Sequence, residues 1–110
     1  MTIPSVPLAC VPGAIPAAER PDHFALLRTL FTETVLEKTP LPDGYRFRFP
    51  ASAVEALARW IENERNCCPF LTFSLEVTPA GGAVWLRLSG PEGTREFLEA
   101  ELPIGGGAPG

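Results

Sequence analysis

Histidine and methionine are nearly missing from this chain: there is one of each, and the histidine is His23. A single imidazole excludes a His-rich metal cluster. Cysteine is also scarce, with three residues. A disulfide framework is normally even in number, so these thiols are expected to be reduced, as in the cytoplasm. No apolar run approaches the length that crosses a bilayer, and the N-terminus lacks a basic-then-apolar leader pattern. The expected location is therefore cytoplasmic, away from membranes. Positive charge is short as well. Lys and Arg number 9 against 13 Asp and Glu, for a net charge of −4. With no basic cluster, nucleic acid finds no electrostatic footprint and is excluded as a partner.

What is present describes one soluble folded unit. The 110 residues are 45% hydrophobic and 20% charged, the size and balance of a single domain that folds without needing a metal or a staple. Many of the 13 Pro and 10 Gly lie near the ends. The domain is expected to span 1–102, with 103–110 ("PIGGGAPG" in its setting) a flexible C-terminal tail.

Along the chain the hydrophobic period changes in a regular order. Phe24, Leu27 and Phe31 recur at helical spacing after Pro21, which predicts an N-terminal helix. "TVLEKT" reads as a strand, and "PLPDG" as a turn. "YRFRF" follows as a second strand, with Tyr45, Phe47 and Phe49 on one face and Arg46 and Arg48 on the other. Ser52 and Glu55 have capping-box spacing, ahead of a helix whose buried stripe is expected at Val54, Leu57, Ala58 and Ile61. Leu71, Phe73, Leu75 and Val77 alternate with polar residues, "PAGGA" reverses the chain, and Val84, Leu86 and Leu88 alternate again. Ser89 and Glu92 repeat the capping spacing before a last helix with Phe97, Leu98 and Leu102.

The expected architecture is thus α+β: two hairpin–helix units forming a four-stranded antiparallel sheet, helices packed on one face, preceded by an N-terminal helix. The open face would carry Arg46, Arg48, Thr72, Ser74, Glu76, Trp85 and Arg87. An exposed Trp85 there points to a homodimer through the open sheet face.

Chemistry concentrates in "ENERNCCPFLTF", residues 62–73. Cys67 and Cys68 sit at a helix C-terminus, where the helix dipole disfavours a thiolate. There is no Cys-x-x-Cys motif, and the one histidine lies in another helix, so nothing marks an enzyme. Pro69 disfavours the α conformation at Cys68 and ends the helix. On a helical wheel Cys68 falls on the stripe through Val54, and Cys67 turns toward the rim on the side of Trp60. Three readings follow. The cysteines can be small apolar residues packing a bend. They can bind a soft ion that displaces the thiol proton itself, with Cys10 from "PLACVPG" as a third sulfur. Thiol redox or nucleophilic work is the poorest of the three. Two or three thiolates suit a thiophilic ion or trivalent metalloid better than zinc, which takes four ligands. His23 reads as a surface or helix-end histidine, and "ENER" as a solvated face.

The segments Ala9-Cys10, Cys67 to Glu76 and "LRLSGPEGTREFL", Leu86 to Leu98, resemble a group of small bacterial CCPF-motif proteins. Relatives in that group look like domains associated with MerR-type regulators and heavy-metal or arsenic resistance. The resemblance covers about residues 8 to 102. It implies a small cytoplasmic protein that handles a soft metal or metalloid, with Cys10, Cys67 and Cys68 as candidate ligands. The chain has no helix-turn-helix portion of its own, so a regulatory role would need a separate regulator as partner. The different-class alternative is a protein-interaction or dimerisation module whose cysteines are structural.

Overall fold

A computed structural model describes residues 8–104. The elements run α1 (Arg20–Thr29), β1 (Glu37–Leu41), β2 (Gly44–Phe49), α2 (Val54–Cys67), β3 (Thr72–Val77), β4 (Val84–Ser89) and α3 (Thr94–Glu101). The strands form one antiparallel sheet in the order β1-β2-β4-β3. The α+β architecture expected from the alternation is the one found: two hairpins, each followed by a helix, in a two-layer domain.

Strand alternation makes the two faces. Tyr45, Phe47 and Phe49 on β2 stand opposite Leu88, Leu86 and Val84 on β4, and all six are buried. Their outward neighbours are Arg46, Arg48, Trp85 and Arg87. The inward residues meet Leu30 and Phe31 from the end of α1, Leu57 and Trp60 from α2, and Leu98 from α3. Phe31 is the hub, with ring centres 5.0 Å from Phe47, 5.8 Å from Phe49 and 5.1 Å from Trp60, each edge to face. Burial of such a side chain stabilises by about 1.5–3 kcal/mol. The backbone of α1 widens into a π turn at Leu30–Thr34, which rotates both Leu30 and Phe31 inward.

Two glycines are demanded by geometry. At Gly44, opposite Ser89 on the central strand pair, a side chain would collide with the Leu88 carbonyl. Gly93 takes the left-handed conformation, φ 95°, at the start of α3, which other residues adopt only at a cost.

Several local expectations are corrected. Neither capping box forms. Helix α2 is entered through a 3-10 turn at Ala51–Ala53, and α3 through Gly93, with no side-chain cap on either. The buried stripe of α2 is Leu57, Trp60, Glu64 and Cys67, rotated from the expected one, and Ala58 is exposed. At the C-terminal end Leu102 and Ile104 are buried in the main core, and the Ile104 carbonyl accepts a hydrogen bond from Lys38 Nζ at 2.8 Å. The described start of the expected tail therefore packs inward, while 105–110 lie outside the described residues.

Candidate metal centre

Helix α2 carries the site at its C-terminal end. The stripe that begins with Leu57 and Trp60 continues at helical spacing to Glu64 and Cys67, so the hydrocarbon face becomes a carboxylate and a thiol within two turns. Cys68 caps the helix at φ −118°, ψ 80°, outside the α region as Pro69 requires. Its N–H still donates to the Glu64 carbonyl at 2.7 Å. Both cysteines are buried, Cys67 2% and Cys68 1% exposed. The expected rim position of Cys67 is thus corrected: it does lie on the side of Trp60, but that side is the core.

The third sulfur arrives on the N-terminal segment. Val11 N–H donates to the Cys67 carbonyl at 2.6 Å, satisfying an acceptor that a helix end leaves free. The guanidinium of Arg20 donates from Nε to the Pro12 and Ile15 carbonyls at 3.1 and 2.9 Å. Ile15 is fully buried and joins Cys67, Cys68 and Phe70 in a small second core. Residues 8–10 form no strand. Instead the segment is strapped across the end of α2, and the Sγ atoms of Cys10, Cys67 and Cys68 all lie within 4.8 Å of one another.

Cys10 and Cys68 are joined as a disulfide across 58 residues of sequence, with Cα atoms 4.5 Å apart, and Cys67 is free. This corrects the expectation of three reduced thiols. An odd count does not prevent one pair from meeting when the chain path brings it together. Burial pushes the Cys67 thiol pKa up, and the neighbouring Glu64 charge pushes it further.

Two further residues complete the site. Glu64, 4% exposed, lies with Oε2 3.2 Å from Cys68 Sγ. In the disulfide that sulfur has no proton, and the contact becomes an S–H···O hydrogen bond on reduction. The other oxygen, Oε1, is 2.7 Å from His23 Nε2. His23 is 3% exposed, and its Nδ1 is buried with no hydrogen-bond partner. The surface histidine and the solvated "ENER" face are therefore corrected at His23 and Glu64. The signal that points to them is spacing alone: Glu64 falls on the Leu57–Trp60–Cys67 stripe once that stripe is drawn through Trp60, and His23 stands one and two turns before Leu27 and Leu30.

The arrangement can do one thing as it stands and another when reduced. As a disulfide it staples the N-terminal segment to α2. Reduced, it becomes a cluster of three thiols that could hold a metal ion, with a carboxylate–imidazole pair against one of them. Comparison with family models, curated proteins and solved structures gives no match. Fold and site together define a two-layer α+β domain with a buried cysteine cluster. Among the described residues no helix is long and apolar enough to cross a membrane.

Proposed function

We propose that the reduced protein captures a soft thiophilic ion or metalloid through Cys67 and Cys68, with Cys10 as third donor. The convergence of three sulfurs within 4.8 Å, from segments far apart in sequence, carries this reading. Once the Cys10–Cys68 bond is reduced, those two sulfurs part while Cys67 closes in, to the spacing that metal–sulfur bonds of about 2.3 Å set. Three sulfurs without a fourth cysteine or an adjacent free histidine favour soft or low-coordinate ions over zinc. The Cys10–Cys68 disulfide is then the closed, ion-free form. The resemblance to CCPF-motif proteins supports the same reading, and a separate regulator would be the partner that senses the ion-loaded state.

An anaerobic titration of reduced protein with Hg(II), arsenite and Zn(II), in the presence of a competing small thiol, tests it. Stoichiometric binding is expected for Hg(II) and arsenite but not for Zn(II), lost in Cys67→Ser/Cys68→Ser, with arsenite weakened in Cys10→Ser. Binding no tighter than to the small thiol would leave the cluster as a structural staple.

A second reading, a homodimer through the open sheet face, has its own support. The Arg46 guanidinium stacks over the Trp85 ring at 3.9 Å, beside a cavity of about 240 Å³ lined by Ser74, Glu76 and Arg87. Arginine and glutamate on one face are complementary to a second copy turned by a two-fold axis. Sedimentation of the wild type against Trp85→Ala distinguishes a dimer that dissociates in the variant from a monomer in both.

A further inference from the structure

We infer that the free edge of β3 is a self-association surface: it pairs antiparallel with β3 of a second copy across a two-fold axis, joining two four-stranded sheets into one of eight strands. The inference is independent of ion capture, and it leaves the Arg46–Trp85 face of the sheet uncovered.

The two edges of the sheet are built differently. β1 carries Glu37, Lys38 and Pro40, residue types that blunt an edge against further pairing. The Lys38 ammonium is also tied to the Ile104 carbonyl at 2.8 Å. β3 has no proline and no basic residue, and Glu76 is its one charge. Among the described residues no strand pairs with its outer side. An edge of that kind is a template for another strand.

The helix layer stops short of the same edge. On β4 the inward residues Leu88, Leu86 and Val84 are each 0% exposed. Their neighbours one strand further out are Phe73, Leu75 and Val77. The first two are only partly buried, and Val77 is 55% exposed. A cavity of about 360 Å³, lined by Ile61, Arg65, Pro69, Leu71 and Phe73, opens beside this row. The open edge and the uncovered apolar row therefore adjoin one groove.

β3 itself has the composition that this edge accepts. Pairing Leu75 with Leu75 of the second copy sets Phe73 against Val77 of the second copy, all on the helix side, because directly opposed residues share a face. On the other side Ser74 stands against Glu76 of the second copy, so the two glutamates do not meet. The next strand inward from Ser74 presents Arg87. Glu76 of one copy and Arg87 of the other then share a row two strand spacings apart, about 9.6 Å, a span that two long side chains close. Arg87 holds Asp43 through Nη2 alone, which leaves the rest of its guanidinium for the glutamate. The two-fold axis repeats each contact, as an isologous interface requires. With Glu76 on the axis the two carboxylates would oppose each other. With Ser74 there, Glu76 would face Thr72 in a row that holds no arginine. Charge complementarity and an apolar row that matches itself identify the occupant as a second copy.

The test is sedimentation equilibrium of the oxidised full chain over a concentration series reaching about 1 mM, with hydrogen exchange of the backbone amides at both ends of the series. Wild type should dimerise, and association should slow exchange on β3 but not on β1. Val77→Lys, at an exposed position, should weaken the dimer by about tenfold or more without moving the denaturant midpoint of the monomer. Glu76→Arg should weaken it by about threefold or more, and by less in high salt. Trp85→Ala should leave it intact. A dimer that survives Val77→Lys and dissociates in Trp85→Ala belongs to the open face and overturns the inference. A wild type that stays monomeric throughout, or protection that appears on β1 instead of β3, overturns it as well. Should Val77→Lys fail to fold, Glu76→Arg decides: unchanged dimerisation in that variant sinks the proposed pairing.

Discussion

The protein has two cores built on different principles. Under the sheet, Phe31, Phe47, Phe49, Leu57, Trp60 and Leu86 interlock as hydrocarbon and aromatic rings, all essentially without exposure. At the end of α2, Ile15, Cys67, Cys68 and Phe70 form a smaller cluster, which borders a buried carboxylate and imidazole and is closed by a covalent bond between sulfurs. The first core is indifferent to redox state and ions, because dispersion and water exclusion do not depend on them. The second changes chemically whenever its sulfurs are oxidised, reduced or ligated. Stability resides mainly in one, and the capacity to respond mainly in the other.

The comparison can be broken most forcefully at Trp60, which belongs to the large core yet lies one turn before Glu64. Trp60→Ala should cost about 3–5 kcal/mol of unfolding free energy, read from denaturant midpoints, whether or not the disulfide is formed. A much smaller loss would mean that the sheet-side core is not the main source of stability. Next comes the staple. Under oxidising conditions Cys10→Ser should lower stability by about 2–4 kcal/mol, since the bond closes a long loop in the unfolded chain. In reducing buffer the difference from wild type should all but vanish. Persistence there would mean that Cys10 stabilises by packing and not by its bond.

The smallest effect sharpens the contrast from the sheet side. Tyr45 donates its hydroxyl hydrogen to Glu99 Oε2 at 2.6 Å. Burial, followed by that hydrogen bond and the Glu99 charge, pushes its pKa up to about 12. The folded state therefore keeps the proton after the unfolded chain has lost it. Stability from this group is fully present below the ordinary tyrosine value of about 10 and is lost as pH rises toward about 12. Tyr45→Phe should cost about 1 kcal/mol at neutral pH and flatten the alkaline decline in the denaturant midpoint. An unchanged decline would assign it to other groups.

The two cores were not equally legible in sequence. The sheet-side core was readable because alternation at Tyr45, Phe47 and Phe49, and again at Val84, Leu86 and Leu88, has a period that only a half-buried strand satisfies. The cysteine cluster was readable as a set of three sulfurs, since an extended segment carrying Cys10 could reach the end of α2. Its polar partners were not. A glutamate inside "ENER" looks solvated until the stripe is drawn through Trp60 instead of Ala58, a rotation that depends on how the helix meets Phe31 and the sheet. The capping boxes misled because Ser52 and Ser89 have the right spacing but sit in a 3-10 turn and at a strand end. The disulfide misled because cysteine parity speaks to compartment and framework, while bond formation depends on distance.

That bond also gives the oxidised chain a covalent shape of its own. Because Cys10 is tied to Cys68, α1, β1, β2 and α2 lie within a closed ring of backbone and sulfur, and β3, β4 and α3 hang from it as an open strand. The ring cannot be released by a single peptide cleavage between its anchors: the pieces stay linked until a reductant arrives. The sheet, by contrast, crosses the boundary, since β4 of the open strand pairs with β2 inside the ring. Whatever opens the sulfur bridge therefore turns a lariat into a line without breaking a single strand pairing.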